Sequence, residues 1–190
     1  MKLNGDIAID TEAMGLNVPR DRLCVVQITD GKGDIHVVHF PTPKYNSTNI
    51  KSYLIDENIC KIMHFARFDV AIMQHYFDIE MKNIFCTKIS SRLVRTYTEY
   101  HGLKDLCSEL LGVKLSKQQQ SSDWGQEVLS TEQIEYAASD VAHLHELRDR
   151  LVFLLNRERR MDLAQACFDF LAVRAKLDVQ GWAELDIFRH

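Results

Sequence analysis

The stretch Ile7-Ala8-Ile9-Asp10-Thr11-Glu12 places two acidic residues at the end of an apolar, β-rich run. Such a run favours a buried β-strand, which we predict over Ile7–Asp10. Side chains alternate between the two faces of a strand, so Asp10 and Glu12 share one face, about 7 Å apart along the backbone. Two carboxylates on one face indicate a catalytic or metal site. A solvated strand end is the alternative, since 27 of the 190 residues are acidic.

Strand-like and helix-like segments alternate outward from this stretch, and helical patterns dominate after residue 87. The predicted strands are Ile7–Asp10, Leu23–Thr29, Ile35–Phe40 and Cys60–Phe65. The predicted helices are Asn49–Leu54, Phe68–Tyr76, Thr87–Thr96, Leu103–Leu111, Thr131–Leu155 and Arg157–Leu177. Gly112 is typical of a helix stop, and Lys114–Asp123 is typical of a polar loop. This order predicts an α/β fold, a mixed sheet flanked by helices, in one domain over residues 1–190.

Two further acidic segments lie at the ends of other predicted elements. Asp69 ends the segment His64-Phe65-Ala66-Arg67-Phe68-Asp69, where a strand passes into a helix. An acid near a helix start also interacts favourably with the helix dipole, which is the simpler explanation for it. Tyr136 and Asp140 are four residues apart in a predicted helix and therefore share one face. A hydrogen-bonded Tyr–Asp pair without catalytic function is the alternative there.

The four acids together indicate a divalent metal site, provided that they converge in the fold. Carboxylates about 5 Å apart repel by about 3 kcal/mol per pair at an effective dielectric of roughly 20. A cluster of four therefore persists only when protons or cations neutralise it. Oxygen ligands without His or Cys select Mg²⁺ or Mn²⁺, and two such ions can clamp both reacting oxygens of a phosphodiester. Tyr136 would then orient the attacking water or accept its proton.

Composition excludes several other classes of protein. A net charge of −4 argues against an enzyme that coats long duplexes through a broad basic face. No apolar run approaches the roughly 18 residues of a membrane span, so we expect no membrane partner. The N-terminus carries acids within its short apolar stretch, unlike a signal peptide. Five scattered cysteines in apolar surroundings predict reduced core thiols and a cytoplasmic protein.

The acidic segments, taken in order, resemble the motifs of the DnaQ-like, or DEDD, exonuclease superfamily: Asp10-Thr11-Glu12, Asp69 and Tyr136-x-x-x-Asp140. Tyrosine four residues before the last aspartate is typical of the DEDDy branch, whereas the DEDDh branch would need histidine where Glu135 stands. Features similar to the ribonuclease D group are Leu23-Cys24-Val25-Val26-Gln27-Ile28 and Ser122-Asp123-Trp124. Features similar to the nanoRNase C group are Gly181-Trp182 and Asp186-Ile187-Phe188.

This resemblance implies a ribonuclease H-like fold with a five-stranded mixed sheet and a helical C-terminal third. It implies two metal ions, Mg²⁺ or Mn²⁺, held by Asp10, Glu12, Asp69 and Asp140. Tyr136 would position the attacking water. Leu16 stands where related enzymes insert a leucine wedge between two bases; an ordinary core leucine is the alternative. His64 could contact the terminal phosphate of a short substrate; a strand histidine with structural hydrogen bonds is the alternative.

The resemblance also implies a reaction and partners. The reaction is hydrolysis from a free 3′ end with release of nucleoside 5′-monophosphates. The substrate is short single-stranded RNA, down to dinucleotides, and relatives suggest a homo-oligomer, with a homo-octameric ring as one form. Two alternatives stay open: a ribonuclease D-like processing exonuclease for longer RNA or DNA, and an inactive exonuclease-fold module that binds nucleic acid.

Overall fold

A five-stranded mixed sheet forms the centre of the fold, in the order β3-β2-β1-β4-β5. The computed structural model describes residues 1–116, Gln119 and residues 121–189. The strands are β1 Ile7–Ala13, β2 Leu23–Thr29, β3 His36–His39, β4 Lys61–Met63 and β5 Ile84–Cys86. Strands β1, β2 and β3 are antiparallel neighbours, whereas β4 and β5 extend the sheet in parallel. The predicted five-stranded mixed sheet is therefore confirmed.

Helices cover both faces of the sheet and make up most of the last third of the described chain. They are α1 Thr48–Ile55, α2 Ala66–Phe77, α3 Thr87–Val94, α4 Leu103–Leu106, α5 Thr131–Ala142, α6 Leu144–Arg157 and α7 Met161–Leu177. Helix α4 continues as a π-helical turn over Cys107–Leu111, which ends at Gly112 in the left-handed conformation. The predicted stop at Gly112 is thus confirmed. A second π-helical segment, Asp178–Trp182, follows α7.

Strand β1 lies in the middle of the sheet and carries the first two acids. Ile7, Ala8 and Ile9 are fully buried, whereas Asp10 and Glu12 are half-buried near the end of the strand. The apolar start of β1 is therefore packed in the core, whereas Asp10 and Glu12 near its other end are partly accessible to solvent. The strand extends to Ala13, beyond the predicted end at Asp10, because β2 pairs with it through Ala13.

The prediction of one helix over Thr131–Leu155 is wrong, because the chain turns at His143 and forms α5 and α6. Helix α5 packs on β1 and β2, whereas α6 packs on α3, so one straight helix could not meet both surfaces. The last long helix begins at Met161 and not at Arg157. Strand β5 had no separate signal in the sequence, since it has only three residues and all are buried.

The five cysteines are free thiols, with three of them buried: Cys24, Cys86 and Cys107. Cys60 is half-buried and Cys167 is exposed, so the expectation of a core position is wrong for Cys167. Lys117, Gln118 and Gln120, in the predicted polar loop, lie outside the described residues. Among the helices of the described residues, none is both long and apolar enough to cross a membrane.

Candidate active site

Three carboxylates converge where β1 and α5 meet. Oxygen atoms of Asp10, Glu12 and Asp140 lie within 4.8 Å of one another. Strand β1 supplies the first two from one face, as its alternation predicts, and α5 supplies the third by packing across β1 and β2. The start of α5 is held by a capping box in which Ser130 and Gln133 bond each other's backbone N–H groups. The capped helix thereby brings Asp140 next to Asp10 and Glu12, which lie about 130 positions earlier in the chain.

Asp69 lies behind this trio and is not part of the 4.8 Å group. It occupies the first turn of α2, is 3% exposed, and accepts a hydrogen bond of 2.6 Å from the hydroxyl of Thr11. Its negative charge still raises the pKa of Asp10 and of Glu12. The fourth predicted acid is therefore close enough to interact with the others, but its carboxylate is already engaged by Thr11.

Burial raises the pKa of all four acids, and repulsion by neighbouring carboxylates adds to it for Asp10, Glu12 and Asp69. Burial, and then the charges of Asp69, Asp140 and Glu12, hold the pKa of Asp10 well above its usual range. Burial, followed by repulsion, raises the pKa of Glu12 to about 9. Burial likewise raises the pKa values of the other two, partly opposed by hydrogen bonds from Thr11 and Tyr136: to about 7 for Asp69 and about 6 for Asp140.

Such a cluster at neutral pH retains protons or accepts a cation in their place. Its donors are carboxylate oxygens, and the 4.8 Å group contains neither His nor Cys. Hard oxygen donors of this kind fit a small divalent cation such as Mg²⁺ or Mn²⁺. The chemistry of the donor set therefore suits the metal ions expected from the sequence.

Tyr136 lies one helical turn before Asp140 and lines the same cleft. Burial and the neighbouring carboxylates raise its pKa, so the phenol is neutral at physiological pH. Its ring lies 6.2 Å from that of the buried Trp124, which packs with Val25 and Ala137 beneath it. The phenol is thus held rigidly beside Asp140 and can donate a hydrogen bond there.

Leu16 is 83% exposed, which excludes the alternative of a core leucine. It belongs to the loop between β1 and β2, where Asp21 accepts a hydrogen bond of 2.9 Å from the backbone of Asn17 and pairs with Arg20. A Cβ atom at Gly15 would lie 2.3 Å from the Asp21 carboxylate. Only glycine therefore fits at position 15 while Asp21 holds the loop, and this arrangement presents Leu16 to the cleft.

The carboxylates line an open cleft of about 670 Å³, with Leu16 and His64 also in its wall. A second groove, of about 730 Å³, shares three residues with it: Leu16, Phe65 and Phe68. His64 is half-buried, and its Nδ1 atom lies 2.9 Å from the Thr87 hydroxyl. Burial and the charge of Lys88 lower the His64 pKa to about 3, so its imidazole is neutral at physiological pH.

A model of the 3′-5′ exonuclease family matches residues 1–156. The chain belongs to the 3′-5′ exonuclease family. The predicted resemblance to DnaQ-like exonucleases is thereby confirmed, with the fold expected of them. Enzymes of this family are hydrolases that depend on divalent metal ions.

Solved structures similar to this exonuclease include nanoRNase C (NrnC) of Brucella melitensis bound to pGG. That structure has 53% identity and a TM-score of 0.94, over 97% of this chain and 90% of that chain. NrnC of the same organism with bound Mg²⁺ has 52% identity and a TM-score of 0.93, with the same coverage. Ribonuclease D of Gluconacetobacter diazotrophicus is 31% identical over 156 residues. That match covers 82% of this chain but only 39% of the relative, so the exonuclease spans less than half of that protein.

Several cleft residues of the exonuclease were not predicted from the sequence. Lys88 and Lys104 add positive charge to the wall of an otherwise acidic cleft. The Lys88 ammonium lies over the Phe65 ring, 4.1 Å from its centroid, and Phe65 has a left-handed backbone with φ of 62°. Phe65 could have been singled out because it directly follows His64. Nothing in the sequence around Lys88 or Lys104 distinguished them from surface lysines.

Proposed function

We propose that this chain is a two-metal-ion 3′→5′ exoribonuclease that hydrolyses short RNA oligonucleotides, down to dinucleotides, to nucleoside 5′-monophosphates. The observation that carries the proposal is the convergence of Asp10, Glu12 and Asp140 within 4.8 Å in an open cleft. We also propose that residues 1–190 act as one exonuclease domain.

The four acids bind two divalent cations, with Asp69 as the ligand that Thr11 orients. Bound Mg²⁺ or Mn²⁺ supplies the positive charge that offsets the carboxylates and favours attack of water on the phosphodiester. The raised pKa values of the acids support this role, because a divalent cation can replace the protons that the clustered carboxylates otherwise retain. An NrnC structure that contains Mg²⁺ gives independent support.

Tyr136 orients the attacking water through its neutral hydroxyl. Its raised pKa disfavours the phenolate, so positioning is a better account than proton abstraction. Asp140, which accepts a hydrogen bond from Tyr136, keeps the phenol directed at the cluster.

Leu16 separates the last two bases of the substrate as an apolar wedge. Its 83% exposure in the wall of the cleft supports this role, because an exposed leucine without a core function is available for contact with bases. His64 contributes only hydrogen bonds near the terminal phosphate, since its imidazole is neutral. Lys88 and Lys104 are the lining cations that can offset phosphate charge.

The preference for short substrates is supported by likeness to an NrnC structure bound to pGG. A cleft of about 670 Å³ also limits how much of a strand can be enclosed. Exposed apolar residues near the C-terminus support a homo-oligomer, with a homo-octameric ring as one form. Free thiols support a cytoplasmic location.

A time course on 5′-labelled RNAs of two, three, seven and twenty nucleotides, with matched DNAs, tests the proposal. We expect the dinucleotide to disappear much faster than the rest in Mg²⁺ or Mn²⁺. Comparable stepwise shortening of the long strands would support the alternative of a processing exonuclease for longer RNA or DNA. The matched control is Asp10→Asn, which should abolish turnover. Absence of hydrolysis by the unaltered chain would support an inactive module that binds nucleic acid.

A further inference from the structure

Three of the five unpaired buried side-chain atoms in the described part of the chain belong to the neighbouring strands β2 and β3. Among the described residues, the buried side-chain atoms without a hydrogen-bond partner are Gln27 Nε2 and Oε1, His39 Nε2, Trp124 Nε1 and His145 Nδ1. Gln27 is fully buried, and both ends of its amide lack a partner. Buried amides are nearly always hydrogen-bonded, because an unpaired one has lost its water without compensation. A fully buried glutamine with two unpaired ends therefore needs an explanation.

The register of the sheet places Gln27 beside the carboxylate cluster. Gln27 on β2 is the direct cross-strand partner of Asp10 on β1, and Val37 on β3 is its partner on the other side. Directly opposed residues of antiparallel strands point to the same face, with Cβ atoms about 4.5–5.5 Å apart. The Gln27 side chain is long enough to bring its amide to the Asp10 carboxylate across that gap.

The same face is covered by α5, the helix that carries Asp140. Val25 and Val37 pack there with Trp124 and Ala137. The directly opposed neighbours of Gln27 on this face are therefore Val37 on one side and Asp10 on the other. Its nearest polar neighbour along the strand, Thr29, already donates its hydroxyl proton to the Asp34 carbonyl. Glu12 and His39 are diagonal neighbours, because both pair with Val25, whereas Asp10 is directly opposite Gln27 and is therefore its nearest acceptor by register.

We propose that Gln27 is a positioning residue for Asp10: its Nε2–H group, which has no partner in this structure, hydrogen-bonds one Asp10 oxygen when that carboxylate binds a divalent cation, and so sets the orientation of the carboxylate. The proposal rests on the metal site of the proposed function. A carboxylate has about four lone-pair positions, so one can accept from Gln27 while others face the metal. Hydrogen bonds of this kind fix ligand orientation in metal sites and contribute to affinity.

Glutamine suits this position better than a charged residue or an apolar one. Glutamate would add a further negative charge to a cluster whose members already repel one another. Lysine would neutralise Asp10 and compete with the metal. Leucine or methionine would fill the space but leave the carboxylate without a fixed orientation.

The near-isosteric Gln27→Met substitution tests the proposal through metal binding without nucleic acid. Titration of Mn²⁺, followed by the electron paramagnetic resonance signal of the free ion, should show a dissociation constant about tenfold higher than in the unaltered chain. The Mg²⁺ concentration for half-maximal hydrolysis should rise by a similar factor. The metal-free variant should unfold at the same or a higher temperature, because two unpaired polar atoms have been removed. Gln27→Leu removes the same atoms with a different shape, and it should give the same loss of metal affinity.

Gln74→Met is the matched control, since Gln74 is also a buried glutamine but has partners at both ends of its amide. Its Nε2 donates to the Ala172 carbonyl over 3.3 Å, and its Oε1 accepts from the Met81 N–H over 3.0 Å. The control should lower the unfolding temperature and leave Mn²⁺ affinity unchanged. Equal Mn²⁺ affinity in Gln27→Met and the unaltered chain would overturn the role of Gln27 while leaving the metal site intact. Failure of the unaltered chain to bind Mn²⁺ would overturn both this proposal and the proposed function.

Discussion

Glu12 illustrates how position rather than residue type determines the chemistry of a side chain in this molecule. An ordinary glutamate is ionised at neutral pH, yet burial and the charges of Asp140 and Asp69 raise the pKa of this one to about 9. The folded chain thus holds protons that its unfolded form would release. Ionisation of the clustered carboxyl groups is therefore coupled to the stability of the fold and to metal binding.

Stability of the metal-free protein should fall as pH rises from about 6.5 to 9, above the range in which the lowered pKa of His64 opposes the effect of the carboxyls. The folded-state pKa values, about 6 for Asp140, about 7 for Asp69 and about 9 for Glu12, exceed unfolded values near 4. The folded state therefore binds more protons in this window, and the stabilisation present at low pH is lost as each carboxyl ionises. Differential scanning fluorimetry should show the unfolding temperature falling as pH rises, and Mg²⁺ should raise that temperature most at the alkaline end of the window.

The Asp10→Asn variant is the control. Its unfolding temperature should depend less steeply on pH, and it should be more stable than the unaltered chain without metal. A slope equal to that of Asp10→Asn would contradict repulsion within the cluster.

Tyr136→Phe should keep metal binding and lose most of the catalytic rate. The phenol is neutral because its pKa is raised, so its expected role is to orient water, and loss of such a group lowers kcat by about a hundredfold or more. Rates on a dinucleotide and Mn²⁺ titrations would measure the two properties separately. Tyr100→Phe, at an exposed tyrosine away from the cluster, is the control. A rate like that of the unaltered chain would remove Tyr136 from the mechanism.

At the scale of elements, the loop between β1 and β2 shows how a connection presents a functional side chain. Asp21 holds this loop through the Asn17 backbone and Arg20, and Gly15 leaves the space that the Asp21 carboxylate occupies. The contacts of Asp21 therefore fix the loop that carries the exposed Leu16. The geometry of this loop depends on glycine at position 15, where a Cβ atom would collide with Asp21.

Gly15→Ala should lower kcat/KM on short RNA by about tenfold to a hundredfold with Mn²⁺ affinity unchanged. A methyl group 2.3 Å from the Asp21 carboxylate would force Asp21 away from the Asn17 N–H group and shift Leu16, and a shift of about 1 Å can have an effect of this size. Steady-state kinetics on a dinucleotide would measure the change. Gly33→Ala is the matched control, because a Cβ there would meet nothing within 4 Å. Equal kinetics in both variants would argue against a role for the Leu16 loop.

Considering the molecule as a whole, the end of the described chain carries several large, exposed apolar side chains. The exposed apolar side chains there are Trp182, Leu185, Ile187 and Phe188. This segment is tied to the rest of the fold by Asp178, which forms ion pairs with Arg67 of α2 and Arg174 of α7. An apolar segment held in place by half-buried ion pairs is a suitable surface for contact between copies of the chain.

Replacement of Leu185 and Phe188 by aspartate should reduce the proposed homo-oligomer to a smaller species. These side chains are 58% and 70% exposed, so the charges should disturb an interface far more than the fold. Light scattering coupled to size-exclusion chromatography would measure the mass. Val128→Asp is the control, since Val128 is 77% exposed but lies outside this segment. An unchanged mass in the double variant would show that the C-terminal segment is not the contact.

Local spacing in the sequence predicted the parts of the site that depend on backbone periodicity. Alternation along a strand put Asp10 and Glu12 on one face, helical spacing paired Tyr136 with Asp140, and the order of these motifs indicated the family. The catalytic roles of these residues are predictions, which the Asp10→Asn and Tyr136→Phe variants would test. Strand β5 came from the resemblance alone, because three buried residues carry no periodic signal.

Only the tertiary structure decided how these local pieces meet. Packing of α5 across β1 brought Asp140 to the strand acids, whereas Asp69 accepts a hydrogen bond from Thr11 and is not part of the 4.8 Å group. The turn at His143 and the exposure of Leu16 likewise depend on contacts between distant segments. Backbone geometry relates residues that are close in sequence, so their relative positions can be inferred from their spacing. Sheet register and helix packing relate residues that are far apart in sequence. The register that sets Gln27 opposite Asp10 belongs to this second kind, which spacing alone does not specify.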